Sequence, residues 1–347
     1  MRRIAVINQK GGVGKTTTCA NLGAALALQG RRVVLVDMDA QANLSLSLDV
    51  TAESDSPSSY SVLLGQTGFG AALRPTKLPG LSLVAANIDL SGAEMELASA
   101  MGREFLLRDA LRSWVEEEHK KSGRAPADYV LFDCPPSLGL LSINALAASG
   151  EVLITLQTEF LALQGMSKLV EIVQLLRKRL NPELVISGIL PCLYDSRLKL
   201  AREVLGEIRR YFPGQVLPQP IRANVKLAEA PSYGKTIFEY APDSNGADDY
   251  MQAAREILRG ESRDPGLAGL PAFRENVAPP PGAELTPAPR RVPPPRRAAA
   301  PKAAPAPQPA PAVVAHAPLE RRPLRAEDLP TLPPDVFEIL SRRGSTP

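Results

Sequence analysis

The sequence predicts an α/β fold, a doubly wound and mostly parallel sheet flanked by helices. Three observations predict it. Short apolar runs alternate with longer helix-forming segments between Arg3 and Leu258. The first run, residues 4–7, passes through a glycine-rich turn straight into an Ala- and Leu-rich segment, residues 18–29. Two further runs, residues 33–36 and 129–132, each end in an aspartate, Asp37 and Asp133. Ligands bind beyond the carboxyl ends of strands in such a sheet.

Composition narrows the function classes. The formal net charge is only +3 over 347 residues. Residues 260–347 carry about twelve Lys/Arg against nine Asp/Glu, so residues 1–259 are near neutral. Nucleic-acid binding by the main domain must therefore come from a local patch. Cys19, Cys134 and Cys192 are scattered, without a C-x-x-C pair, which argues against zinc and iron–sulfur ligation and suits a reducing cytoplasm. His119 and His316 stand alone among polar or Pro-rich neighbours and read as solvated side chains. The chain opens on a strand, which leaves no room for a signal peptide. It has no run of 18 apolar residues, so no membrane span is expected.

Taken in order, residues 4–7 read as a buried strand. The loop Gln9-Lys10-Gly11-Gly12-Val13-Gly14-Lys15-Thr16-Thr17 follows. A strand, a glycine turn and a helix N-terminus make an anion site. Successive backbone N–H groups converge on phosphate oxygens, and the helix dipole favours negative charge. Gly11, Gly12 and Gly14 permit positive φ and close approach of the backbone. In a P-loop of this kind the lysine, Lys15, reaches the β- and γ-phosphates and the hydroxyl, Thr16, ligates Mg²⁺. The phosphate contacts of the loop itself then run through Gly11, Gly12, Val13, Gly14, Lys15 and Thr16 to Thr17. The standard motif places a glycine six residues before the lysine. Gln9 stands there instead, and a second lysine, Lys10, follows it.

Gly30 caps the first helix. Residues 33–36 form the second strand, which runs into Asp37-Met38-Asp39. Residues 51–80, rich in Ser, Gly and Pro, read as loops with little regular structure. Residues 81–85 read as a short strand, and residues 93–120 as one helix, broken at 123–127. Residues 129–133 are four apolar residues followed by an acid. That is the shape of a Walker B element, whose acid holds Mg²⁺ directly or through water. Further strands are expected at 152–156 and 184–190. Further helices are expected at 164–180, stopped by Asn181-Pro182, at 202–211 and at 249–258. Residues 1–259 make one domain.

Beyond it the composition changes. Residues 279–311 hold about 13 prolines in 33 residues, mostly with Ala and Arg. Such a segment buries too little apolar surface to fold, so residues 260–328 are expected to be a disordered, basic, Pro-rich linker. Val336, Phe337, Ile339 and Leu340 suit one short helix within residues 329–347, a partner-binding element or tail.

The loop at residues 9–17 resembles the deviant Walker A box of the ParA/MinD family of ATPases. Residues 36–43 are similar to that family's second box. Cys134-Pro135-Pro136-Ser137-Leu138-Gly139 resembles its switch-like loop near the γ-phosphate. The stretch from Asn224 to Lys235 resembles the C-terminal signature of its Soj/ParA partition branch. The resemblance runs roughly from Arg3 to Leu258, about three quarters of the chain. The resemblance implies ATP and Mg²⁺ as cofactors, with Lys10, Lys15 and Asp39 catalytic and Thr16, Asp37 and Asp133 around the metal. It implies that Lys10 reaches across a homodimer interface to the other subunit's nucleotide. It also implies that Asp39 orients the attacking water, with Asp37 closer to the magnesium shell. Basic residues in two segments of Soj-like proteins contact DNA, and Arg197 and Lys226 are the matching positions.

The implied function is an ATP-dependent dimer that binds DNA nonspecifically and segregates chromosome or plasmid DNA. A ParB-like partner would stimulate hydrolysis. Its expected place is cytoplasmic and nucleoid-associated. No DNA-reading segment precedes Met1, which predicts binding without sequence choice. Two relatives compete. A MinD-like ATPase acting on a membrane needs a C-terminal amphipathic helix. Pro333-Pro334 and the acids Asp328, Asp335 and Glu338 make residues 329–343 a poor one, better suited to docking on a partner protein. The same engine could also position a protein cluster. A metabolic or metal-linked relative, such as dethiobiotin synthetase or the nitrogenase iron protein, is disfavoured in the iron case by the missing cysteine ligands.

Overall fold

The structure, a computed structural model, describes residues 1–159 and 162–261. Seven strands are present: β1 (Arg2–Ile7), β2 (Val33–Asp37), β3 (Leu73–Pro75), β4 (Leu81–Val84), β5 (Tyr129–Asp133), β6 (Glu151–Gln157) and β7 (Val185–Cys192). They lie in the order β3-β4-β2-β5-β1-β6-β7. Every neighbouring pair is parallel except β3 with β4 at the edge. β1 sits between β5 and β6, and the chain first winds to one side of it and later to the other. That reversal puts the ligand crevice at the C-terminal end of β1.

The strands are apolar throughout because both faces are covered. Side chains of β1 alternate: Ala5 and Ile7 join one core, Ile4 and Val6 the other. Helices α5 (Leu106–Ser122), α6 (Leu140–Ala148), α7 (Ala162–Arg179) and α8 (Lys199–Tyr211) pack on the Ala5 face. Helices α1 (Lys15–Leu28) and α11 (Asn245–Glu261) pack on the Ile4 face. Five short helices complete the set: α2 (Asn43–Ser47), α3 (Ser59–Leu63), α4 (Leu90–Glu96), α9 (Val225–Glu229) and α10 (Ile237–Tyr240). α1 is Ala-rich and buried on nearly all sides, since it lies between the sheet and α11. Polar groups fix that sandwich. Thr18 Oγ1 and Tyr250 Oη share a hydrogen bond of 3.1 Å, and the Ile237 amide donates to Asn21 Oδ1 at 2.7 Å.

The expected fold class holds, with three corrections of detail. Residues 51–80 are not bare loop: they carry α3, a 3₁₀ turn (Phe69–Ala72) and β3. Ser58 and Ser61 cap α3 reciprocally, so serines that suggest a loop here start a helix. The single helix expected at 93–120 is two, α4 and α5, separated where Gly102 takes φ 67°. Helix α6 was not expected, because its run Leu-Leu-Ser-Ile-Asn-Ala-Leu-Ala-Ala is buried and carries no amphipathic period. The expected linker at 260–328 and terminal element at 329–347 lie outside the described residues, apart from Gly260 and Glu261 in α11.

Candidate nucleotide site

The glycine loop leaves β1 at Ile7 and enters α1 at Lys15. Gly14 is the N-cap and stands at φ 86°, with Gly12 at φ 72°. Both are left-handed conformations that glycine adopts at least cost. No side chain caps α1, and its first turn carries no acid. Its leading N–H groups therefore have no side-chain acceptor from the protein. A Cβ built on Gly11 or Gly12 would meet nothing within 4 Å, so open space adjoins the loop. An uncapped helix start beside open space suits a phosphate group.

Lys15 is buried at 7% exposure. Its ammonium donates to the Lys10 carbonyl at 3.3 Å and, among the described residues, has no ion-pair partner. Burial holds its pKa below the usual lysine value, and the charge of Asp133 works against that shift.

Asp37 and Asp133 stand opposite each other on β2 and β5. Asp37 is fully buried, and its carboxylate is engaged. Oδ2 accepts from the Ser45 amide at 2.9 Å and the Ser45 hydroxyl at 2.7 Å, and Oδ1 accepts from the Asp39 amide at 3.2 Å. Burial nevertheless pushes its pKa up to about 6. Asp133 is buried too, and neither of its oxygens has a hydrogen-bond partner. Burial and then the Asp37 charge raise its carboxyl well above the usual range, while the neighbouring Thr16 hydroxyl and Lys15 ammonium pull the other way. Two buried, unpartnered carboxylate oxygens beside a threonine hydroxyl are a donor set that fits Mg²⁺.

Asp39 is only partly buried, with Oδ1 accepting from the Gln41 amide at 3.0 Å. Lys10 is exposed and turns to its own chain. Its ammonium donates to Gln157 Oε1 at 3.1 Å and pairs with Glu159, both at the end of β6. A cavity of about 390 Å³ continues the site past Gly14 and Thr17, walled by Leu193, Arg222, Asn224 and Tyr250. The sequence reading assigned none of these four to the site. The signals were the run beginning at Asn224 and the polar break after β7, where Leu193 takes φ 53°.

The two DNA candidates, Arg197 and Lys226, lie on neighbouring segments. A parallel bridge joins Tyr194 to Arg222, which sets the segment holding Arg197 beside the one leading to Lys226. Each basic group sits in a local ion pair. Arg197 is bidentate on Asp195 and holds that carboxyl down at about 2. Lys226 donates to Glu229 at 2.9 Å and lies over the Tyr240 ring.

A glycine loop between the central parallel strand and an uncapped helix, with an acid ending the next strand, defines a P-loop nucleotide hydrolase. Residues 1–186 match the family model described as an AAA domain. The chain is 44% identical over 261 residues to the chromosome partitioning protein ParA of Myxococcus xanthus, covering 75% of this chain and 89% of that one. It is 43% identical over 254 residues to the sporulation initiation inhibitor protein Soj of Bacillus subtilis, covering 73% and 97%. Among solved structures it is similar to a cobyrinic acid a,c-diamide synthase from Mycobacterium smegmatis with bound ATP analogue and magnesium. That likeness has 38% identity and a TM-score of 0.65, and covers 79% of this chain and all of the other. The chain belongs to the ParA/Soj family of P-loop ATPases. No helix among the described residues is long and apolar enough to cross a membrane.

Proposed function

We propose that this chain is an ATP-dependent, dimerising ATPase that binds DNA without sequence choice and segregates or positions chromosome or plasmid DNA. The observation that carries the catalytic part is the buried, unpartnered carboxylate of Asp133 facing the uncapped start of α1. Residues 11–17 bind the phosphates of ATP through backbone amides and the Lys15 ammonium. Thr16 and Asp133 hold Mg²⁺. Asp37, committed to Ser45 and to the Asp39 amide, would support the metal shell as a neighbour of Asp133. Mg²⁺, when bound, neutralises charge on the β- and γ-phosphates. Asp39 orients water for in-line attack on the γ-phosphate. Lys10 leaves Glu159 and reaches the nucleotide of the partner subunit. Dimer closure juxtaposes two copies of the Arg197–Lys226 patch, which grips phosphate backbone. Hydrolysis opens the dimer and releases DNA, and a ParB-like partner speeds that step. Residues 1–259 carry this engine, residues 260–328 act as a basic linker, and residues 329–347 engage a separate partner. The place of action is the nucleoid in the cytoplasm.

Lys15→Ala tests the reading. It removes the main point charge on the triphosphate, so ATP affinity should fall by at least about tenfold, roughly 1.4 kcal/mol. Equal affinities for both chains by titration calorimetry would refute the phosphate cradle.

A further inference from the structure

A second cavity, of about 260 Å³, opens at the opposite end of the sheet from the glycine loop. Its apolar lining is Ile4 and Leu153 in the N-terminal halves of β1 and β6, Val216 and Leu217 after α8, and Ile257 of α11, while Ser187, Glu256 and Arg259 also line it. Arg2 also lines the cavity. Its guanidinium is bidentate on Glu151 and donates to the Ile257 carbonyl at 2.7 Å, which fixes the end of α11 over the cavity. The volume is below the roughly 300–1,000 Å³ of small-molecule sites and suits one or two apolar side chains.

Gly260 forms part of this wall and is buried, so the chain continues from the cavity's mouth. The residues that follow are Glu261-Ser262-Arg263-Asp264, then Pro265-Gly266, a turn signal, then Leu267-Ala268-Gly269-Leu270-Pro271-Ala272-Phe273. This is the first apolar stretch after α11, and from Pro279 the composition turns to Pro and Ala. Leu267 is seven residues past Gly260, a reach of up to about 23 Å. A short tether makes return to the mouth inexpensive in loop entropy and presents the segment at high effective concentration.

We propose that residues 267–273 of the same chain dock in this cavity, with Leu270 and Phe273 as the inserted side chains. The inference is independent of the ATPase reading, since none of its residues lies in that site.

Hydrogen exchange on the full-length protein tests it, with residues 298–304 of the same chain as the unprotected reference. Wild-type amides of 267–273 should exchange at least about tenfold more slowly than the reference, at every protein concentration. In a Leu270→Asp/Phe273→Asp variant that protection should vanish and exchange at residues 214–217 should rise, with residues 11–17 unchanged. Wild-type exchange at 267–273 matching the reference would overturn the proposal. So would protection that survives the double substitution, or that appears only as concentration rises, which would mean docking on a second copy. Unaltered exchange at 214–217 in the variant would equally overturn it.

Discussion

Asp37 and Asp133 end neighbouring strands in register, yet only Asp37 receives hydrogen bonds on its carboxylate. Both are buried, and both carboxyls are raised above their ordinary values. A raised folded-state pKa contributes stability that is full below the unfolded value and lost as pH rises through the folded one. For Asp37 that window runs from about 4 to about 6, and the loss is about 3 kcal/mol. Burial raises the Asp133 carboxyl in the same direction. Nucleotide-free protein should therefore lose stability as pH rises from about 4 to about 6 in urea titrations. Asp133→Asn should flatten the profile: it should match wild type near pH 4, be more stable at pH 8, and abolish Mg²⁺-dependent hydrolysis. A variant less stable than wild type at pH 8 contradicts this.

Asp39 differs from that pair in being partly exposed, although its amide donates to Asp37 Oδ1. Asp39→Ala should leave ATP affinity intact and stop turnover, trapping a DNA-bound dimer. Light scattering that finds the variant monomeric with ATP, or phosphate release at the wild-type rate, would count against the role.

Lys10 contacts Gln157 and Glu159 of its own chain. An exposed pair of this kind is worth little, of order 0–1 kcal/mol, so the contact does not prevent the lysine from crossing to a partner. Lys10→Ala should weaken the ATP dimer and slow turnover while monomer ATP binding survives. Wild-type turnover per subunit should rise with protein concentration until dimers saturate. Turnover that stays flat across the monomer-to-dimer range would rule out a trans role.

Arg197 is the more exposed of the two DNA candidates, and its partner Asp195 is adjacent and replaceable by a phosphate. Each phosphate contact adds about 0.9 to the slope of log affinity against log salt. Arg197→Ala, acting in both subunits, should reduce that slope by up to about 2 without altering sequence preference. The measurement belongs in a chain truncated after Glu261, because Arg290, Arg291, Arg296, Arg297 and Lys302 can bind DNA without ATP. Equal binding with ADP and ATP in that chain would remove the switch, and binding by the full-length protein alone would move the DNA site to the tail.

The central strands and the phosphate loop were legible because their signals are local: apolar runs, glycines at fixed spacing, an acid after Phe132. The division of labour between Asp37 and Asp133 was not, since it depends on Ser45 eight residues away reaching one carboxylate and not the other. Arg222 hid for a similar reason. Its pairing with the buried Asp249 is made across 27 residues of chain. The helix α6 was lost to uniform burial, and the break between α4 and α5 to a lone glycine, Gly102.

The bond between Thr18 and Tyr250 joins residues 232 positions apart, on the first and last helices. During synthesis the phosphate loop and α1 emerge first, with α1's outer face bare. They wait for nearly the whole domain before α11 can cover them. At about 5–20 residues per second that exposure lasts on the order of ten seconds or more. A nascent chain thus displays an apolar, Ala- and Leu-rich helix before it can hold nucleotide firmly. Completion of the ATP site becomes a late event, reached only once residue 250 has cleared the ribosome.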